Sequence, residues 1–101
     1  MTDAAGPGAY PRTVATVTLE LYGIARKRAG AETVMVAATT LSQALLALEA
    51  LYPSLAGEVV RAGRLAPHWR ANIDGTRFVE GDDAPLAPGS RVVILSGLAG
   101  G

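Results

Sequence analysis

Cysteine is absent from this chain of 101 residues. That gap excludes disulfides, iron–sulfur clusters, thiolate zinc sites and a cysteine nucleophile together. Histidine occurs once, so a histidine metal cluster or a histidine-based triad has no partners to draw on, and His68 reads as an ordinary surface or hairpin residue. Net charge is lacking as well. Nine basic residues balance nine acidic ones, which removes the electrostatic argument for nucleic acid or an anionic membrane as a partner. No apolar stretch approaches the length of a membrane span, and the opening Met1-Thr2-Asp3-Ala4-Ala5-Gly6-Pro7-Gly8 has neither the basic nor the apolar region of a secretion signal. A cytoplasmic location is expected. The chain has no G-x-x-x-x-G-K-[ST] phosphate loop, and Gly6-Pro7-Gly8-Ala9-Tyr10-Pro11 lacks the third glycine and the preceding strand of a dinucleotide site. No cofactor and no metal are therefore expected on the chain itself.

What is present is a chain that is 50% hydrophobic, enough for one small domain with one core. Residues 1–13 read as a flexible arm, 14–96 as the domain and 97–101 as a flexible tail. Ala15, Val17, Leu19 and Leu21 alternate with Thr16, Thr18 and Glu20, the period of a strand with one buried face. After Tyr22-Gly23 and the basic segment Arg26-Lys27-Arg28, which reads as a wet loop, Thr33-Val34-Met35-Val36 makes a second, antiparallel strand. Thr40-Leu41-Ser42-Gln43 has capping-box spacing. The helix that starts there stacks Leu41, Ala44, Leu45, Leu48, Leu51 and Tyr52 on one stripe until Pro53 ends it. Asp74-Gly75 between two short apolar runs is a type I′ hairpin signal. Asp82 and Asp83, beside Gly81 and Pro85, fit a solvated turn. The final run, Val92-Val93-Ile94-Leu95, is apolar throughout, as suits a central strand parallel to its neighbour. Strand, strand, helix, hairpin and final strand together predict an α+β domain, a β-grasp: a mixed sheet with one principal helix packed on one face. Either Val92 and Ile94 or Val93 and Leu95 then face away from the helix. That outward pair is buried under loops or forms a docking patch.

The chain given ends in Gly100-Gly101, two residues without side chains directly behind the apolar strand. Such a terminus threads a channel too narrow for other residues. This layout resembles the ubiquitin-like sulfur carriers, the family of the molybdopterin synthase small subunit and the thiamin sulfur carrier. The likeness is carried by Leu98-Ala99-Gly100-Gly101, by Leu21-Tyr22-Gly23, by the leucine-rich helix closed by Tyr52-Pro53, by Asn72-Ile73-Asp74-Gly75 and by Leu86-Ala87-Pro88-Gly89-Ser90-Arg91-Val92. Two departures stand out: Ser90 occupies a position that is acidic in many relatives, and Ser96-Gly97 one that often holds prolines. The resemblance implies a protein cosubstrate rather than an enzyme. An E1-like enzyme adenylates the Gly101 carboxylate with ATP, a sulfur donor converts it to a thiocarboxylate, and a sulfur-accepting biosynthetic enzyme uses the sulfur. Gly100 and Gly101 then carry the chemistry, while Leu98, Ala99, Val93 and Leu95 meet the partners. The alternatives are a ubiquitin-like modifier joined through Gly101 to target lysines, and a plain binding module.

Overall fold

The computed structural model describes residues 16–79 and 83–97. The arm and most of the tail lie outside them, as do Val14 and Ala15 at the expected start of the first strand. Strand β1 (Thr16–Leu21) buries Val17, Leu19 and Leu21 completely, while Thr18 and Glu20 look the other way. A short helix, α1 (Ile24–Ala29), leads to β2 (Thr33–Ala37), which pairs antiparallel to β1 with Thr18 opposite Met35. Helix α2 (Leu41–Leu51) and a 3₁₀ turn (Pro53–Leu55) precede a small ribbon of β3 (Val60–Arg61) and β4 (Arg64–Leu65). Strands β5 (Trp69–Ile73) and β6 (Arg77–Val79) form the hairpin, and β7 (Arg91–Ser96) ends the fold. Among the described residues the main sheet has five strands in the order β2-β1-β7-β5-β6. Strand β7 lies parallel to β1 and antiparallel to β5, so the apolar run expected to be central is central. The fold is the mixed sheet with one principal helix that the sequence predicts.

The start of α2 is held more firmly than its own sequence indicates. The Thr40 hydroxyl accepts the Gln43 amide at 3.2 Å, as capping-box spacing requires. The return contact reaches one residue further back: the Gln43 side-chain oxygen accepts from the amide of Thr39 at 2.8 Å. Asp83 supplies a second cap from far along the chain, its carboxylate accepting the Ser42 amide at 2.8 Å and its own neighbour's amide, that of Ala84, at 2.9 Å. A negative group against the first free N–H groups also complements the helix dipole. Asp83 is thus a structural cap as well as a turn residue. Asp82 lies outside the described residues.

Leu41, Ala44, Leu45 and Leu48 point into the core against Val17, Leu19, Val92 and Ile94, all at most 2% exposed. Burial of each large aliphatic side chain contributes about 1.5–3 kcal/mol. The predicted stripe runs too long at its end: Leu51 is 57% exposed and Tyr52 half-buried. Leu51 sits at the edge of the apolar arc, in the last turn of the helix. Arg26, Lys27 and Arg28 differ from expectation too, since they form the last turn of α1 instead of a loop. Cations at a helix C-terminus are favoured by its dipole, and Gly30, at φ 73°, closes that helix in the left-handed conformation. Two contacts fix α1 to the segment after α2: the Ser54 hydroxyl donates to the Arg28 carbonyl at 2.8 Å, and Arg28 pairs with Glu58 at 2.7 Å.

Leu48 lies at the centre of this core with no exposed surface. Leu48→Ala is expected to lower the free energy of unfolding by about 2–5 kcal/mol, transfer loss and cavity combined, seen as a lower urea midpoint with unchanged slope.

Candidate functional site

Strand alternation leaves one side of the sheet uncovered by α2. On β7, Val92 and Ile94 are wholly buried beneath the helix, so Val93 and Leu95 are the outward pair, each half-buried. Register places Val93 between Glu20 of β1 and Asn72 of β5, and Leu95 opposite Arg70. Phe78 stands across from Asn72 on the edge strand and is 55% exposed. The Arg70 guanidinium lies 5.4 Å from the centre of the Phe78 ring, a cation–π contact of about 0.5–1 kcal/mol at an exposed position. At the other end of the face, Arg91 pairs with Glu20. The result is a patch of Val93, Leu95 and Phe78 with a guanidinium on it.

That patch runs directly into the root of the tail. Trp69 faces Ser96 in the last register pair of β5 and β7, and the Gly97 amide adds one further bond by donating to the His68 carbonyl. Strand β5 goes no further back than this, because Ala66-Pro67-His68-Trp69 is a tight turn closed by the Trp69 amide on the Ala66 carbonyl at 3.1 Å. Pro67 and His68 hold its central positions, and His68 has φ 73°, the pattern of a type II turn with a non-glycine residue at the left-handed position. A groove of about 500 Å³ lies beside the turn, lined by Leu65, Pro67, His68, Trp69, Arg70 and Gly97 among others. Arg70 therefore belongs to both surfaces, touching Phe78 on the open face and lining the groove at Gly97.

By sequence, no family model matches this chain, and no curated protein does. Solved structures do. The crystal structure of SAMP1 from Haloferax volcanii is 25% identical and superposes with a TM-score of 0.66 over 85% of this chain and 99% of its own. The small archaeal modifier protein 1 of Methanosarcina acetivorans gives a TM-score of 0.73 at 23% identity, over 87% and 98% of the two chains. A chain of the Amycolatopsis orientalis BexX/CysO complex gives 0.70 at 21%, over 84% and 99%. This chain has the ubiquitin-like β-grasp fold. The fold that the resemblance in its sequence implied is the fold these structures share.

Within this β-grasp protein the two segments that carried much of that resemblance are bonded to each other. The Asp74 carboxylate accepts the Ser90 hydroxyl at 3.0 Å and the Arg91 amide at 2.8 Å, and the Asp74 amide donates to the Arg91 carbonyl at 2.8 Å. Ser90, buried to 4% exposure, accepts the Ala87 amide at 3.1 Å on the same hydroxyl. An acidic residue in place of Ser90 would set a second carboxylate against Asp74, so the serine departure is consistent with its neighbour. The hairpin turn thereby fixes the start of β7, the strand that leads to the tail.

Of the residues singled out from sequence, Val93 and Leu95 fall on the open face, whereas Leu98, Ala99, Gly100 and Gly101 lie outside the described residues. His68 is exposed, as expected of a surface residue, but its carbonyl has a definite partner in Gly97. Phe78, Arg70 and Asn72 complete the face; Phe78 and Arg70 were not singled out, and Asn72 entered only as part of the Asn72-Ile73-Asp74-Gly75 segment. Phe78 was within reach, since an aromatic residue next to the inward Val79 must look outward. No transmembrane-length apolar helix occurs among the described residues.

Ser90→Ala removes the acceptor of the part-buried Ala87 amide and the donor to one carboxylate oxygen of Asp74. The expected cost is about 1–3 kcal/mol, measurable as a shift in the denaturant midpoint without loss of the native spectrum.

Proposed function

We propose that this protein is a sulfur carrier whose Gly101 carboxylate is adenylated by an E1-like enzyme and converted to a thiocarboxylate. One observation carries the reading: the central strand of a β-grasp sheet is followed in sequence by Leu98-Ala99-Gly100-Gly101, with Gly101 four residues beyond the last bond to the sheet among the described residues. The chemistry requires outside help at each step. An α-carboxyl group with a pKa of about 3.3–3.7 is ionised at neutral pH and is a poor acylating group. Attack of one carboxylate oxygen on the α-phosphorus of ATP releases pyrophosphate and leaves an acyl-adenylate. Sulfide, or a donor that delivers sulfur at the sulfide level, then displaces AMP from the acyl carbon. The thiocarboxylate so formed is anionic and soft, a nucleophile without a side-chain base, for the reason that thiolates rather than thiols are reactive. ATP belongs to the activating partner, and an accepting enzyme takes the sulfur in the synthesis of a cofactor or other metabolite. Val93, Leu95 and Phe78, with Leu98 and Ala99, provide the contact surface for these proteins. A cytoplasmic setting supplies ATP for this cycle.

A second reading has its own support. Two of the proteins of like fold are SAMP1, the small archaeal modifier protein 1, which favours conjugation of Gly101 to lysine amines as an alternative fate of the same acyl-adenylate. Both fates begin at one carboxylate, so a single experiment separates them.

Incubated with the cognate E1-like enzyme, ATP and a sulfur donor, the protein is expected to gain the mass of one sulfur in exchange for one oxygen, located at Gly101 by fragmentation. Omission of ATP abolishes the change. Higher-mass conjugates through Gly101 with no thiocarboxylate in cells would establish the modifier reading, and neither product would leave a binding module. Gly101→Val is expected to keep the wild-type unfolding midpoint while losing adenylation, because a branched side chain does not fit a channel shaped for glycine. Adenylation at the wild-type rate would refute the channel argument.

A further inference from the structure

We propose that the Gly97–His68 contact is a positioning clamp that sets the direction in which the last four residues leave the sheet, and that the activating enzyme depends on it for turnover. The proposal rests on the carrier reading given above. Three features of the structure converge on this contact. Gly97 makes the last bond between the described chain and the sheet, through its amide to the His68 carbonyl. Its α-carbon sits close against that turn: a β-carbon there would lie 3.3 Å from the His68 carbonyl oxygen, and 3.6 Å and 3.7 Å from Nε and Nη2 of Arg70. The first distance is inside ordinary contact and falls on backbone, so a side chain at Gly97 forces the turn or the tail root to move. Finally, His68 holds φ 73° without being glycine, a left-handed conformation that residues with a β-carbon seldom adopt. The surrounding turn holds it in that conformation.

These features explain where β5 stops offering pairing positions to β7. The Pro67-His68 turn carries the chain away from strand conformation at the point where Gly97 bonds, so β5 presents no ladder position beyond it. With a reach of about 3.3–3.6 Å per residue, four residues place Gly101 at most about 14 Å from Gly97. A carboxylate delivered over so short a span is sensitive to the angle at its base, since a 1 Å misplacement of reacting groups costs up to about a hundredfold in rate. Val93, Leu95 and Phe78 are held by the β5–β7 and β5–β6 ladders and not by the turn, so a change in the clamp alters the aim of the tail while leaving this part of the open face in place.

The test uses the full chain with its E1-like enzyme and ATP–pyrophosphate exchange as the readout. Gly97→Ala is expected to keep the unfolding midpoint near wild type, to leave KM for the carrier unchanged, and to lower kcat tenfold or more. His68→Gly, which keeps the carbonyl and relieves the positive φ, is expected to leave the unfolding midpoint at or above that of wild type. Combined with Gly97→Ala it is expected to restore most of the lost kcat, because the turn is then free to give way. In the free wild-type protein the Gly97 amide is expected to be protected from hydrogen exchange. Wild-type kcat for Gly97→Ala, a loss confined to KM, failure of the double variant to recover, or an unprotected Gly97 amide would each overturn the clamp while leaving the carrier reading intact. A wild-type protein that is never adenylated would overturn both.

Discussion

The parallel pairing of β1 with β7 is the contact on which the rest of the molecule depends. It joins the first described strand to the last, so the entropy of closing almost the whole chain is spent before it forms. What offsets that cost is the continuous burial of Val17, Leu19, Leu21, Val92 and Ile94 under α2, none of them measurably exposed. Once β7 is inserted, β5 and β6 acquire a partner on its other edge. Without it, β1–β2 and β5–β6 are isolated hairpins, marginal on their own in water.

Central placement also settles how the two faces of β7 are used. One face is spent on the core, through Val92 and Ile94, and the other presents Val93 and Leu95 beside Phe78 and Arg70. Any partner that reads the open face thereby reads the strand that carries the tail. The Asp74–Ser90 bonds fix the beginning of that strand and the Gly97–His68 bond fixes its end. Between those two points β7 has little freedom of register.

Much of this arrangement was legible in the sequence where a signal is local. The capping spacing of Thr40 and Gln43 located α2, and Asp74-Gly75 located the β5–β6 turn, where both residues do have positive φ. Period-two alternation limited the outward pair on β7 to two choices, and the structure selected one. Signals that depend on distant neighbours were not legible. Asp83 caps a helix 41 residues earlier, which no window of sequence contains. The β3–β4 turn was hidden because Ala62, at φ 51°, holds a position where glycine or asparagine is the usual marker. Helix α1 is six residues long, too short for periodicity to separate it from a loop. The candidate site divided in the same way. Its glycines, Val93 and Leu95 follow from pattern, whereas Arg70 and the His68 carbonyl enter only through the register of β5 on β7.

The parallel alignment of β1 and β7 has a mechanical side. A protein held at its sheet face and drawn by the end of its chain into a narrow channel bears the load along β7. Ladder hydrogen bonds run across the strands, so this pull shears the bonds to β1 and β5 all at once instead of opening them one after another. Strands loaded in shear resist far more force than strands peeled from an end, and here β7 is gripped on both edges. Tension applied at the glycine end therefore loads the β7 ladders along the strand, on both of its edges.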